Sequence, residues 1–555
     1  MSKKITFGIL CNSLVFEAWE AACIDNLLNH PNIELKVLVM NDQVDSVKQS
    51  FFKKLKNYPY RNFFYRAYKR FWLKAASYQL VSFENKLKDV PILRCTTIRK
   101  GKYSSNFNDQ DVASIKLLEL DFLLRFGFNI IGGEILKSCT YGIWSFHHAD
   151  NDFIRGGPIG FWEIYLKRNT TAAVLQQLNN QLDQGKILRK GYLKTIDHSY
   201  AENIDKLTAM AAVWPLQVCI DLMNNQDIIA KAPFALHKAN LYKFPSNWRF
   251  MHFIFILFKN KLKFHFQELF LAETWQIARY EQEIDGIKKT TLPKASFLSD
   301  SKAENYCADP FLWPNSNVKK LLFERFSYQE NKGKIAMLDY DGKNLKTIDF
   351  GINGHLSYPF LFEYNAQVYC IPEQADEGKV TLYKINEDGL VIKDLDLIEN
   401  FTARDASIVF YNQKWWLFCT KANYFENAAL FIFYANSLQE KFVAHQNNPV
   451  KVDVQNARPA GSFFMKDNFL LRPAQNSAKH YGHKVNINKI IKLSEFEFEE
   501  EIVAIIEPET FGNYIGIHHI SSQQGQTVID LKQTKFSKSN FNHQFKRKIR
   551  KTLKL

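Results

Sequence analysis

The amino-acid sequence predicts a two-domain chain, a Rossmann-like α/β domain followed by an all-β five-bladed propeller. Three observations carry this. The first 240 residues alternate strand, helix and loop patterns, as a mainly parallel sheet with covering helices does. Beyond residue 300 the texture changes to short apolar runs divided by polar turns. Within that half, an element of the type P-F-L-F-E-Y-N recurs near 309, 358, 405 and 459, at intervals of 47 to 54 residues. Four-stranded blades repeated at such a period form a propeller, and the remaining length holds about five of them.

In order along the chain, Ile5–Leu10 reads as a strand, Val15–Leu28 as a helix and Ile33–Val39 as a second strand. Residues 51–90 read as helical, with the aromatic and basic run YRNFFYRAYKRFW. Ile115–Leu124 reads as a strand that enters a turn at Asn129–Ile131. The expected boundaries are an α/β domain over 1–240, a helical connector over 241–300, the propeller over 301–535 and a basic tail over 536–555. The connector holds NWRFMHFIFILFKNKLKFHFQ, which suits either a helix packed between domains or one lying in a membrane interface.

Of the 555 residues, 46% are hydrophobic and 23% charged, which excludes a largely disordered, collagenous or polytopic membrane chain. The 47 Phe and 24 Tyr against 23 Gly suit strand-rich packing. Eight cysteines are scattered without C-x-x-C or zinc-like spacing, as buried thiols in a reducing compartment are. The opening MSKKITFGIL reads as a strand, not a secretion signal. The longest apolar run, Phe250–Phe258, has nine residues, against about 20 for a bilayer span. The expected location is the cytoplasm.

Of the net charge of +15, nine units lie in Leu531–Leu555, which has no acidic residue. The other 530 residues carry only +6. Phe541, Phe545, Ile549 and Leu553 recur every fourth position among the tail's charges. An apolar stripe beneath a basic one points to peripheral contact with a membrane surface and away from nucleic acid.

The N-terminal domain's informative segment is GIWSFHHADNDFIRGGP, residues 142–158, followed by an L-D-Q-G-K-I run. Ser145 and His147 lie two apart on a strand and so share a face. With Asp183 downstream, they form a set able to move a proton and stabilise an oxyanion. His148 faces the other way and reads as structural. No third ligand accompanies the histidine pair, so no metal is expected there.

This segment resembles the formyltransferase catalytic-domain family, whose pattern is N-x-H-x-S-x-x-P-x-x-R-G followed by L-D-x-G-x-I. His147, Arg155, Gly156 and L-D-Q-G-K-I match in kind and spacing. The family's Asn position holds Ser145, and its Ser-Leu-Leu-Pro is replaced by Ala149-Asp150-Asn151-Asp152. The resemblance implies His147 as general acid/base and Asp183 as its orienting carboxylate, with Ser145 beside them. It implies N10-formyltetrahydrofolate as co-substrate, held by Phe126, Gly127, Asn129 and Ile130 with Arg155 and Gly156. The implied acceptor is a nucleotide-linked amino sugar bound for a surface polysaccharide or glycolipid.

In the propeller, Asp309, Glu373 and Asp405 are expected at comparable places in successive blades, which would converge on the central channel. Carboxylates so placed can run acid/base chemistry on a sugar, or can simply cap turns. Arg458 and Arg472, each within R-P-A, are candidate partners for those carboxylates or for a bound anion. Trp415, Trp416 and Tyr481 are candidates for sugar stacking. The stretches A-D-P-F-L, S-Y-P-F-L-F-E, I-P-E, D-A-S-I-V-F and A-R-P-A-G resemble two families. These are glycoside hydrolase family 43 and, more closely, the N-terminal domain of plant glucosamine inositolphosphorylceramide transferases. The joint expectation is amino-sugar N-formylation. The alternatives are a propeller-centred glycosidase or glycosyltransferase-like enzyme, or a non-catalytic glycan-binding scaffold.

Overall fold

The computed structural model describes residues 4–42, 60–100, 104–181, 184–224, 228–235, 239–283, 296–297, 305–315, 317–537 and 541. The chain divides into two compact units: Met1–Gly191 with Thr195–Leu262, and Tyr192–Lys194 with Lys263–Leu555.

The first unit is built on a seven-stranded sheet. Its order is Lys186–Lys194, Thr170–Gln177, Ile143–His147, Phe122–Arg125, Ile5–Cys11, Ile33–Asn41 and Ile92–Cys95. The five strands from Ile143–His147 to Ile92–Cys95 run parallel. Their apolar runs are buried on both faces, which is why they read as continuous rather than alternating. The chain winds outward from Ile5–Cys11, then returns on its other side at Phe122–Arg125. That reversal opens a crevice at the carboxyl ends of these two strands, where open α/β sheets bind ligands.

Local differences from the sequence reading have local causes. The first helix starts at Ala18, not Val15, because Glu17 and Glu20 form a reciprocal capping box there. Ile115–Leu124 splits into the end of helix Asp109–Lys116 and strand Phe122–Arg125. The Asn108 side chain caps the helix by accepting from the Asp111 N–H at 2.7 Å. Of residues 51–90, those before Tyr60 lie outside the described residues. The rest holds helix Phe63–Phe71 and a short strand, Leu80–Ser82, paired with Val15–Glu17. Among the described residues, one stretch, Tyr200–Met223, has the length and hydropathy of a membrane span. It buries Ile204, Leu207, Val218 and Leu222 within the protein.

The second unit is five antiparallel sheets, as a five-bladed propeller requires. Four are contiguous in sequence and begin at Asn305–Leu312, Ser357–Tyr364, Ala403–Tyr411 and Phe464–Lys466. The fifth is assembled from both ends of the unit. Leu271–Tyr280 pairs antiparallel with Gln526–Phe536 over ten residues, flanked by Ser296–Phe297 and Ile520–Gln523. The propeller's first strand therefore begins at Leu271, inside the stretch expected as a connector over 241–300, and helix Asn247–Phe270 precedes it. Closing the last blade with strands from both ends ties the ring shut. The blades pack through apolar faces on both sides. Beyond Ser537 only Phe541 is described, so Phe545, Ile549 and Leu553 of the tail's apolar stripe fall outside the described residues. Seven of the eight cysteines are buried, and Cys139 is half-buried.

Candidate functional site

The innermost strand of three successive blades carries the same irregularity. Register slips lie between Ala308 and Phe311, between Ser357 and Phe360, and between Arg404 and Ser407. Within each slip one residue adopts a left-handed φ: Asp309 at 51°, Tyr358 at 44° and Asp405 at 51°. Side chains with a Cβ rarely adopt this conformation, and bulges of this kind re-aim a side chain. The fourth blade puts Gly461 at the matching place. A Cβ there would meet the Ile520 carbonyl oxygen at 1.8 Å, so only glycine fits.

This corrects the reading of Glu373, since the second blade's residue at the comparable place is Tyr358. Glu373 ends the second strand of that blade, opposite Ser357. Its counterpart in the first blade is Glu324, opposite Ala308. The sequence reading missed Glu324. Its signal was a lone carboxylate inside the apolar strand KLLFERFS.

The bulges gather a buried carboxylate cluster. Asp405 accepts two bonds from the Arg458 guanidinium, at 2.5 and 3.1 Å, and one from the Gln475 amide at 2.8 Å. Glu373 is ion-paired with Arg404 and accepts from the Asp405 backbone N–H at 3.0 Å. Asp309 lies 3.2 Å from His518 Nε2, whose Nδ1 lies 2.8 Å from Asp530. Asp530 also accepts from the backbone N–H groups of Asp309, His518 and His519.

Burial, reinforced by the Asp405, Asp530 and Glu373 charges, pushes the Asp309 carboxyl up to about 8 although His518 opposes it. Burial and the same neighbours raise Glu324 well above the usual carboxylate range. Burial also raises Asp405, against the pull of Arg458 toward its ionised form. His518 is raised by the two carboxylates that flank it, and Asp530 is lowered by His518. The site thus sets a carboxyl that keeps its proton at neutral pH near another gripped by a guanidinium.

Asp309, His518 and Asp530 also bring three potential metal-ligand atoms within 4.8 Å of one another. No metal was expected from the sequence. Asp530 already accepts three backbone N–H bonds there, and His518 Nδ1 is buried without a hydrogen bond among the described residues. His518 is held between two carboxyls, which favour its protonated form against the opposing effect of burial.

Arg472 does not join this cluster. Only 1% exposed, it pairs with Glu500 at 2.8 and 2.6 Å and donates to the carbonyls of Asn456 and Ala457. The two R-P-A copies are not blade equivalents. They face one another, with Pro459 bridged to Ala474. Trp415 and Trp416 point to opposite faces of their strand, yet both are buried, because a blade has a neighbour on each side. Tyr481 is half-buried, with its ring 5.2 Å from the Arg458 guanidinium.

In the first unit, Ser145 and His147 sit at the carboxyl end of Ile143–His147, both buried. Arg125, the last residue of the neighbouring parallel strand, donates to Ser145 Oγ from Nε at 3.1 Å and from Nη2 at 2.8 Å. It also donates to the Asn129 carbonyl in the loop that follows its own strand. The sequence reading passed over Arg125, which only strand register places beside Ser145. His147 Nε2 lies 3.0 Å from the Ile154 carbonyl oxygen. His148 packs against Trp19 and Phe146, and burial lowers it to about 3. Asp183 lies outside the described residues.

Phe126 stacks on Phe146, and its N–H and that of Gly127 donate to the Leu10 carbonyl at 2.9 Å. Asn129 is exposed and left-handed, and Ile130 opens a short strand. Arg155 and Gly156 lie on a strand paired with Asn240–Tyr242. The substituted loop is tied down by Lys190, which bridges Asp150 at 2.7 Å and Asp152 at 2.6 Å.

Both side-chain polar atoms of Asn151 and both carboxyl oxygens of Glu163 are buried without a hydrogen-bond partner among the described residues. Burial pushes Glu163 up to about 8, with Asp150 adding to the shift. A carboxyl raised on folding contributes stability that is fully present below its unfolded value near 4.5. That stability is lost as pH rises through about 8. Glu163→Gln should therefore leave stability nearly unchanged at pH 5 and raise it above pH 8, by on the order of 3 kcal/mol. Thermal melts across that range check this; parallel pH curves for the two proteins would refute it.

Residues 264–524 match the family model "Glucosamine inositolphosphorylceramide transferase 1, N-terminal". Glucosamine inositolphosphorylceramide transferase 1 of Oryza sativa subsp. japonica is 33% identical over 241 residues, which is 40% of this chain and 32% of that protein. The Arabidopsis thaliana protein of the same name is 29% identical over 266 residues, 45% of this chain and 35% of the relative. The chain thus spans about a third of the length of these curated relatives. Among solved structures, a thermostable family-43 glycoside hydrolase aligns with 39% of this chain and 82% of its own, at 11% identity and TM-score 0.29. A sugar 3N-formyl transferase aligns with 43% of this chain and 69% of its own, at 12% identity and TM-score 0.26.

Proposed function

We propose that the propeller is the principal working part of the protein, and that it binds a glycan and cleaves or transfers a glycosyl unit at its carboxylate cluster. The carrying observation is the pair of left-handed aspartates, Asp309 and Asp405, set on equivalent bulges, both raised by burial, one facing His518 and the other gripped by Arg458. In this reading neutral Asp309 donates a proton to the departing glycosidic oxygen. The Arg458-gripped Asp405 stabilises positive charge on the sugar or activates the acceptor hydroxyl. Glu324 and Glu373 tune both. The names of the plant relatives contain glucosamine and inositolphosphorylceramide. Glucosamine-containing glycosides and inositol phosphate lipids are therefore the first substrates to try. The test is a binding and turnover screen of the purified chain against those compounds and α- and β-aryl glycosides. Saturable turnover that needs Asp309 supports the reading; neither binding nor turnover of any of them overturns it.

A second reading is favoured by the buried, unpartnered polar atoms of Asn151 and Glu163 in the segment that holds His147. Here the first unit transfers a formyl group from N10-formyltetrahydrofolate to an amine. The amine nitrogen bonds to the formyl carbon, His147 takes the amine's proton and returns it to N10 as the bond to N10 breaks, and tetrahydrofolate and the formamide are released. Arg125 and Ser145 would steady the transient oxyanion. Calorimetric titration with 5-formyltetrahydrofolate should give saturable heat, and His147→Ala should then lower amino-sugar formylation by at least about 10²-fold. No heat at millimolar ligand would end this reading.

A further inference from the structure

Helix Asn247–Phe270, over the part up to Leu262 that belongs to the first unit, is apolar on two opposite faces. Its inner face buries Phe250, Phe253 and Ile256 against Tyr65, Phe161 and Tyr200. The outer face carries Trp248, Met251, Phe255, Phe258 and Leu262, at spacings of three and four and 49–83% exposed. The helix Phe63–Phe71 lies alongside. The Asn247 side chain accepts from the Phe64 N–H at 3.1 Å and donates to the Tyr60 carbonyl at 2.7 Å. This second helix and its end add exposed Phe64, Phe71 and Trp72. A helix apolar all round is ordinarily buried, so the outer stripe calls for an occupant.

Charge says which. Arg61, Arg66, Lys69, Arg70 and Lys74 are exposed on the first segment, and Arg249, Lys259 and Lys261 on the second. Residues 60–74 and 247–262 contain no Asp or Glu. Among the described residues none of these eight cations pairs with a carboxylate. A second copy docked by a two-fold axis would set this basic surface against itself. An anionic bilayer instead accepts aromatic and aliphatic side chains at its acyl boundary while its headgroups take the cations. We propose that this face docks the protein on the surface of an anionic lipid bilayer. It does so separately from residues 536–555.

The test is co-sedimentation of the full chain with phosphatidylcholine vesicles containing about one-third phosphatidylserine. Binding is expected, and weakens without phosphatidylserine. Trp248→Glu with Phe255→Glu, and separately Arg66→Glu with Arg70→Glu, should each weaken it at least about tenfold. All four positions are exposed, so the thermal midpoint should hold. If the first pair shifts it, the arginine pair decides. Removing residues 536–555 should leave most of the binding. The proposal fails if the full chain ignores the vesicles, or if the folded variants bind as well as the parent. It fails too if the first pair merely converts a soluble dimer to a monomer, which would make a second copy the occupant.

Discussion

Asp309→Asn is expected to lower turnover of a glycan by about 10³-fold while leaving binding within a few-fold, because a general acid contributes 10²–10⁴ in rate. Asparagine keeps the shape and can still meet His518, but it has no proton to give. The loss should shrink for activated aryl glycosides, whose leaving group departs without protonation. That contrast separates an acid from a residue that only shapes the site. The pH dependence follows from the same carboxyl. Burial and neighbouring carboxylates hold it up at about 8, so activity that needs its proton falls as pH rises through that value. Stability moves the same way. The folded value lies above the unfolded one near 3.8, so its contribution is full below about 4 and lost through about 8. Asp309→Asn should remove that slope, making the variant more stable than the parent at pH 9. A uniform loss on all leaving groups with an unchanged pH profile would assign Asp309 a purely structural place.

The parts legible in the sequence were those written in local patterns. Continuous apolar runs marked the parallel strands, and the recurrence at 309, 358, 405 and 459 marked the blades. Aspartates were found where the repeat itself placed them. Glu324 was not, because its partnership with Asp309 arises across two strands and a bulge, and a lone carboxylate in an apolar strand does not reveal which strand it faces. Glu373 was found for a reason that does not hold: it was expected at the place that Asp309 and Asp405 hold in their blades, yet it closes a second strand. Arg125 shows the same limit in the first unit. Parallel neighbours far apart in sequence set Ser145 beside it, and no spacing rule encodes that register. The fifth blade was hidden because its strands come from both ends of the unit.

The two R-P-A arginines sharpen the difference between sequence and environment, and their variants should part accordingly. Arg472→Ala should cost the propeller about 3–5 kcal/mol, read as a lower urea midpoint of its transition. It strips a buried carboxylate of its guanidinium partner and leaves two carbonyls unmet. Lys451, 2.7 Å from Glu500, cannot replace a bidentate fork at that depth. Arg472→Met combined with Glu500→Leu should recover much of the loss, since the buried pair is then replaced by apolar volume and the charge left behind, on Lys451, is partly exposed to water. Arg458→Met, by contrast, frees Asp405 in the carboxylate cluster. Its carboxyl then takes up a proton, which limits the loss of stability, while turnover falls because the base is neutralised. Equal destabilisation by the two single variants would mean that both arginines serve the fold alone.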